Sequence, residues 1–388
     1  MVVQRLSHLG ETIFSTMTQL AIKHQAINLG QGFPDADGPA AMLERAQKEI
    51  ASGNNQYAPG RGFPELRQAI TDDRFRSYGA EYDPDTEVLV TVGATEGLTA
   101  SILGLVEPGA EVIALEPYFD SYPAAVALAG ASFVPVALEA HGTRFGVDED
   151  ALRAAVTDKT AMIIINSPHN PTGTMLGARD LDAIARVAIE YDLLVLSDEV
   201  YEKLAFDEPH IPIASLPGMR ERTITVSSAA KCFNVTGWKT GWALAPKDLI
   251  DGVLAAKQFM SFVGVSPVQQ AVAYALDNES DWTEDLANSL QVRRDSLRSA
   301  LEQAGMSTWD TLGGYYIVAD VSALMDKYDV ASAEDFCLGP LLDAGVVAIP
   351  VSAFASSKDA SRFSHLVRFA FCKKDDVLEE AIRRLATL

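Results

Sequence analysis

The sequence predicts an α/β fold, with a large domain built on a mostly parallel sheet between helices and a smaller α+β domain. Three observations carry the prediction. From about residue 87 to 228, short apolar runs alternate with helix-like segments. Several of those runs are continuously apolar, as strands covered on both faces are. Beyond about residue 285 the pattern changes to "QVRRDSLRSALEQAG", "GYYIVADV" and "DVLEEAIRRLATL", a mixture of amphipathic helices and isolated strands.

In chain order, "EVLVTVG" (87–93) reads as a buried strand and "ATEGLTASILGLV" (94–106) as a helix. "EVIALEP" (111–117) is a strand, and "DSYPAAVALAG" (120–130) a helix whose Pro123 suits a first turn. "SFVPVAL" (132–138) is a strand weakened by Pro135, and "DEDALRAAV" (148–156) opens with acids, as helix starts do. "AMIIINSP" (161–168) is a strand and "ARDLDAIARVAIEYD" (178–192) an amphipathic helix. "LLVLSD" (193–198) and "TITVSS" (223–228) are further strands. The organisation expected is an arm plus part of the small domain over 1–40, a large domain over 41–285 and a small domain over 286–388.

Composition excludes several classes. A chain of 388 residues, 48% hydrophobic, has the make-up of a globular protein of more than one domain. A net charge of −22 argues against nucleic-acid binding, which needs clustered Lys and Arg. The three cysteines, Cys232, Cys337 and Cys372, show neither paired nor metal spacing, so no metal site is expected and a reduced, cytoplasmic setting is. "MVVQRLSHLGETIF" lacks the apolar core of a signal peptide, and no run of about 18 apolar residues suggests a membrane span.

In open parallel sheets ligands bind beyond the C-terminal strand ends. Here the strand ends lead into Gly93-Ala94-Thr95, Tyr118-Phe119, "HNPTG" with Asn170, Asp198 with Tyr201, and Lys231. A lysine, an acid, an amide, a phenol, an aromatic plate and a helix N-terminus on one rim suit a flat, phosphorylated, aldehyde-bearing heterocycle.

The chain resembles the fold-type-I pyridoxal-phosphate enzymes of the class I/II aminotransferases. It is most similar to the branch with kynurenine, glutamine, methionine and actinobacterial N-succinyldiaminopimelate aminotransferases. The resemblance rests on "NLGQGFPD" (28–35), "NQYAPGRGFPELR" (55–67), "GATEG" (93–97), "EPYFDSY" (116–122), "NSPHNPTG" (166–173), "SDEVYE" (197–202), "SSAAKCFNVTGWKTGW" (227–242) and "HLVRFAFCK" (365–373). Each motif is modest alone; their order and spacing are specific.

That resemblance implies a seven-stranded sheet, pyridoxal 5′-phosphate as cofactor, and transfer of an amino group from an L-amino acid to a 2-oxo acid. It implies that Lys231 forms the imine with the cofactor and that Asp198 faces the pyridine nitrogen. Asn170 and Tyr201 would bond the phenolic oxygen. Ala94, Thr95, Ser228 and Lys239 would hold the phosphate, joined by Tyr57 from a neighbouring subunit, which makes the protein a homodimer with shared sites. Lys239 stands where many relatives carry Arg, giving a point charge instead of a fork. Phe119 would stack on the ring, with Val200 on its other face. Arg368 would bind the substrate α-carboxylate with Gly32, and Phe14 would line the side-chain pocket. Trp238 and Trp242 read as packing residues, Glu199 and Glu202 as ordinary strand-end acids, His169 as a loop residue, and Tyr122 as part of the apolar wall. Arg61, in the loop after Tyr57, reads first as a solvent-exposed arginine and second as a partner for a distal carboxylate.

Two other functions compete with this one. A carbon–sulfur β-lyase would use the same residues and release pyruvate and ammonia from cysteine conjugates. A regulator with an aminotransferase-like domain would need an N-terminal DNA-binding module, for which residues 1–30 leave no room. No G-x-G-x-x-G comes after a strand, which speaks against a nicotinamide enzyme.

Overall fold

The computed structural model describes residues 3–7 and 13–388. Much of the segment read for a signal peptide lies outside the described residues.

Seven strands form the large sheet: Val88–Val92, Thr240–Leu244, Thr223–Ser228, Leu194–Asp198, Thr160–Asn166, Glu111–Glu116 and Ser132–Ala137, in that spatial order. All neighbours are parallel except Thr240–Leu244, which runs against both of its own. This antiparallel strand does not stand out in the sequence as a separate element.

The continuous apolar runs have the cause expected of them. The interior strands Leu194–Asp198, Thr223–Ser228 and Thr240–Leu244 are buried almost throughout. Alternate residues serve opposite faces. Ile113, Ile163 and Val195 pack with Leu181, Ile184 and Ala188 of the helix Ala178–Glu190. Their neighbours Val112, Met162 and Leu196 pack with Leu98 and Ile102 of the helix Gly93–Leu105. Pro135 sits in the edge strand, where its missing N–H costs no ladder bond. The acids that open the helix Glu149–Ala155 are preceded by Asp148, whose carboxylate accepts from the N–H of Asp150 at 2.9 Å and Ala151 at 3.1 Å.

Towards the C-terminus a 24-residue helix, Ser280–Gln303, packs on a four-stranded antiparallel sheet. The helix Ile13–His24 joins this layer through Met17 and Ala21, and Ile27–Asn28 pairs in parallel with Val346–Val347. The N-terminal segment thus shares a core with residues more than three hundred positions away.

Candidate active site

The C-terminal ends of the parallel strands open onto a cavity of about 330 Å³. Its walls include Phe14, Gly32, Ala94, Thr95, Phe119, Asn170, Asp198, Val200, Tyr201, Ser228, Lys231 and Lys239. Of the fourteen site residues expected from the sequence, the fold brings twelve to this cavity wall. Arg368 lies just behind the wall, against Asn170, and Tyr57 stands apart.

One corner is built for an anion. The helix Gly93–Leu105 starts there with its first N–H groups free of intrahelical partners. Gly93 has φ +74°, and a Cβ on it would meet Cε and Nζ of Lys239 at 3.2 Å. A Cβ on Gly241 would fall 2.7 Å from the Ala94 nitrogen. The antiparallel strand therefore passes close against the helix start and brings the Lys239 ammonium to it.

Lys231 comes after the strand Thr223–Ser228, on the one-turn helix Ala229–Cys232. Its Nζ donates to the Tyr315 hydroxyl at 2.7 Å and to the Gly32 carbonyl at 3.3 Å. Burial pulls its pKa down to about 8, against the pull of Asp198 in the other direction.

Asp198 is pushed the opposite way. Burial raises its pKa to about 6, while the Tyr122 hydroxyl, donating to Oδ2 at 2.8 Å, holds it down in part. Tyr122 is thus no plain apolar wall, as expected from the sequence, but the hydroxyl partner of this carboxylate. Asn166 is a site residue that sequence reasoning did not find. It ends the strand Thr160–Asn166, donates from Nδ2 to the Asp198 carbonyl at 2.8 Å, and accepts the Asn170 N–H at 2.7 Å. Its signal was the first letter of "NSPHNPTG".

Arg368 sits fully buried in the strand Leu366–Ala370. Nη1 donates to Asn170 Oδ1 at 2.8 Å and Nη2 to the Gly30 carbonyl at 2.5 Å, while Nε lacks a partner. The guanidinium lies 4.1 Å from the Tyr316 ring centroid, 4.6 Å from Phe354 and 5.3 Å from Phe14. Every one of these contacts is neutral. Burial raises the pKa of Asp120 on the cavity wall and the guanidinium's charge pulls it back in part, but no carboxylate is bonded to the guanidinium, so the buried cation remains incompletely compensated and favours a further anion. Gly32 is confined as well, since a Cβ there would lie 1.7 Å from the Tyr316 hydroxyl.

Several sequence readings need correction. Glu199 and Glu202 are not ordinary strand-end acids. Both are buried on Arg74, whose Nη1 and Nη2 reach Glu199 Oε2 at 3.0 Å and whose Nη1 also meets Glu202. The Ser197 hydroxyl donates to Glu199 at 2.9 Å and that of Ser227 to Glu202 at 2.7 Å, and His210 Nε2 stands 3.2 Å from Glu199 Oε2. Arg74 comes from the helix Pro64–Tyr78, which no local pattern links to the "SDEVYE" motif. His169 is in its loop but buried, with Nδ1 2.7 Å from the Thr172 hydroxyl and its pKa pulled down to about 3 by burial. Arg61 is half-buried, not fully exposed, and it is not free. Its guanidinium pairs with Asp251 and reaches the Thr86 carbonyl at 3.4 Å. Trp242 and Trp238 pack in the cluster around Phe233, as the sequence suggests.

A lysine and an acid with opposed shifts and a helix start beside a second lysine meet around one cavity, with a buried arginine behind its wall, a gathering of perturbed groups that marks a functional site. The model for class I and II aminotransferases matches residues 24–385, and the chain belongs to that family. It is 53% identical, over 100% of its own length and 98% of the other, to a probable N-succinyldiaminopimelate aminotransferase of Mycobacterium tuberculosis. The solved structure of N-succinyldiaminopimelate aminotransferase from that organism matches over 100% of both chains, with 53% identity and a TM-score of 0.96. The methionine aminotransferase of Escherichia coli is 38% identical over 99% of this chain and 97% of its own. Kynurenine–oxoglutarate transaminase 3 of Bos taurus is 38% identical over 97% and 88%. The protein is a pyridoxal-phosphate-dependent aminotransferase with the fold-type-I architecture. These relatives are named as aminotransferases, which does not favour the β-lyase reading. Among the described residues no helix is long and apolar enough to cross a membrane.

Proposed function

We propose that this aminotransferase takes its amino group from N-succinyl-LL-diaminopimelate and passes it to 2-oxoglutarate or a similar 2-oxo acid. The full-length identity to the Mycobacterium tuberculosis protein supports that donor over methionine, kynurenine or glutamine. The observation that carries the site reading is Arg368, buried just behind the wall of the cavity that Lys231 lines and bonded there only to neutral groups.

The residues fit the cofactor. The Lys239 corner suits its phosphate, with the Ala94 and Thr95 N–H groups and the Ser228 hydroxyl as donors. Lys231 would meet its aldehyde and Asp198 its ring nitrogen, with Asn170 and Tyr201 for its phenolic oxygen. Phe119 and Val200 would cover the ring faces. When bound, pyridoxal phosphate supplies a reactive carbonyl carbon and an electron-withdrawing ring that weakens the Cα–H bond of an attached amino acid.

The chain does the rest. With a pKa of about 8, Lys231 keeps roughly a tenth of its amine neutral at pH 7, ready to attack or to accept a proton at Nζ. Asp198 in its ionised form would hold a proton on the ring nitrogen. Arg368 and the Gly32 backbone would fix the α-carboxylate at two points, which sets the Cα–H bond upright to the ring. Phe14 would line the side-chain pocket.

The reading includes a homodimer with shared sites, in the cytoplasm. Tyr57 is 81% exposed and lies edge-on to Phe262, whose segment also exposes Phe259 and Val265. An apolar patch of this kind supports a second copy of the chain, so that Tyr57 of the partner subunit would complete the phosphate site. The three cysteines are free and buried, which supports a reducing compartment. The large domain is taken as 41–285 and the small one as 286–388.

A half-reaction screen tests the donor. The cofactor-loaded protein is mixed with N-succinyl-LL-diaminopimelate, methionine, kynurenine and glutamine, and the loss of the imine absorbance is monitored. The succinylated donor should react with the highest kcat/KM. A higher value for any of the other three would replace it.

A further inference from the structure

Tyr315 belongs to none of the sequence motifs, yet it makes the shortest polar contact to Lys231. Its hydroxyl oxygen accepts from Nζ at 2.7 Å, and its O–H donates to the Gly32 carbonyl. The three groups form one directed chain, Lys231 to Tyr315 to Gly32, joining the lysine to a small-domain segment and an N-terminal loop. We propose that Tyr315 is a positioning residue for Lys231, whose phenol receives and holds the ε-amine whenever that amine is not covalently engaged.

The surroundings make this a built arrangement. Tyr315 is 1% exposed. Its ring is locked edge-on by Tyr201 at 5.2 Å and by Tyr316 at 4.9 Å. A Cβ on Gly32 would come within 2.8 Å of the Tyr315 ring, so the carbonyl that receives the phenol can approach only because residue 32 is glycine. The amine swings on a flexible four-carbon stem, and without the phenol it would keep only the longer bond to the Gly32 carbonyl at 3.3 Å. With the phenol, it is held at two points next to the cavity.

The chemistry has a direction. An acceptor oxygen on the amine favours its protonated form, as does Asp198, while burial, Arg368 and Lys239 disfavour it. Cys372 stands close by, but burial pushes its thiol up to about 11, so it remains neutral near pH 7. Tyr201 and Tyr315 are held neutral by burial as well. The phenol thus offsets part of the burial effect on Lys231.

The inference rests on the assignment of Lys231 to the cofactor, and the test separates the two. The full chain freed of pyridoxal phosphate is labelled with acetic anhydride across pH 6–10, and the Lys231 peptide is quantified by mass spectrometry. Tyr315→Phe keeps the ring and its packing, which the melting midpoint checks. The Lys231 titration should fall by about one pH unit in this variant. In the reloaded enzyme kcat should fall by a larger factor than KM for the amino donor rises, since Arg368 is untouched and the Gly32 carbonyl loses one donor. An unchanged Lys231 titration overturns the proposal, whatever the activity does. Should Tyr315→Phe not fold, the wild-type chain with 3-nitrotyrosine in place of Tyr315 serves instead. Burial opposes its ionisation as it does that of Tyr315, so the phenolate is followed by its visible absorbance; over the pH range where it is ionised the Lys231 titration should move upward, and no movement there would again overturn the proposal. Absence of a borohydride-fixed cofactor on Lys231 in the wild type would overturn the underlying site reading instead.

Discussion

Replacing Tyr122 with Phe removes one hydroxyl and leaves the ring that packs beneath the site. In the wild type that hydroxyl donates to Asp198 Oδ2 at 2.8 Å, and the other contact to this carboxylate is the Val200 N–H at 3.4 Å. A hydrogen bond to a buried charged group contributes about 1.5–3 kcal/mol, so its loss should move the Asp198 titration up by roughly one to two pH units. The sign comes from the charge: the lost donor stabilised the ionised form, and the protonated form gains. With a pKa of about 6, Asp198 is about nine-tenths ionised at pH 7. In the variant that fraction falls to roughly a half to a tenth at pH 7, yet recovers above roughly three-quarters at pH 8.5. If only ionised Asp198 pairs with the cofactor's ring nitrogen, the dissociation constant for pyridoxal phosphate should rise about two- to tenfold at pH 7 and approach the wild-type value at pH 8.5. Equilibrium titration of the cofactor-free variant and wild type at the two pH values measures this. Equal weakening at both, or none at pH 7, would refute the link between the hydroxyl and the charge on Asp198.

Four other outcomes are expected. Lys231→Ala should bind pyridoxal phosphate without covalent attachment and lose nearly all turnover; a borohydride label on Lys239 in the wild type would move the assignment. Gly32→Ala places a Cβ 1.7 Å from the Tyr316 hydroxyl and should raise KM for every amino donor, with the cofactor absorbance retained; an unchanged KM would remove Gly32 from the carboxylate site. Arg74→Met strands two buried carboxylates, which costs about 3–5 kcal/mol, and should lower the melting midpoint by several degrees; an unaltered midpoint would show the cluster to be dispensable. Mixing Tyr57→Phe with Lys231→Ala subunits should give activity that departs from simple averaging, whereas an active monomer by light scattering would exclude shared sites.

The sequence by itself determined the strand–helix alternation and most of the rim of the site. Apolar runs such as Met162–Ile165 are local statements about burial on two faces, and residues just beyond such strands must lie at one edge of the sheet. Lys231, Asp198, Asn170 and Thr95 were legible for that reason. What only the tertiary structure decided is who stands behind them. Tyr122 on Asp198, Arg74 on Glu199 and Glu202, and Tyr315 on Lys231 are contacts between segments 76, 125, 128 and 84 positions apart. No periodicity encodes such pairs, because a buried charge constrains only the presence of a partner and not its place in the chain. The antiparallel strand Thr240–Leu244 escaped for a related reason. Its glycine and tryptophan positions look like a loop until Gly241 is seen pressed against the start of the helix that it serves.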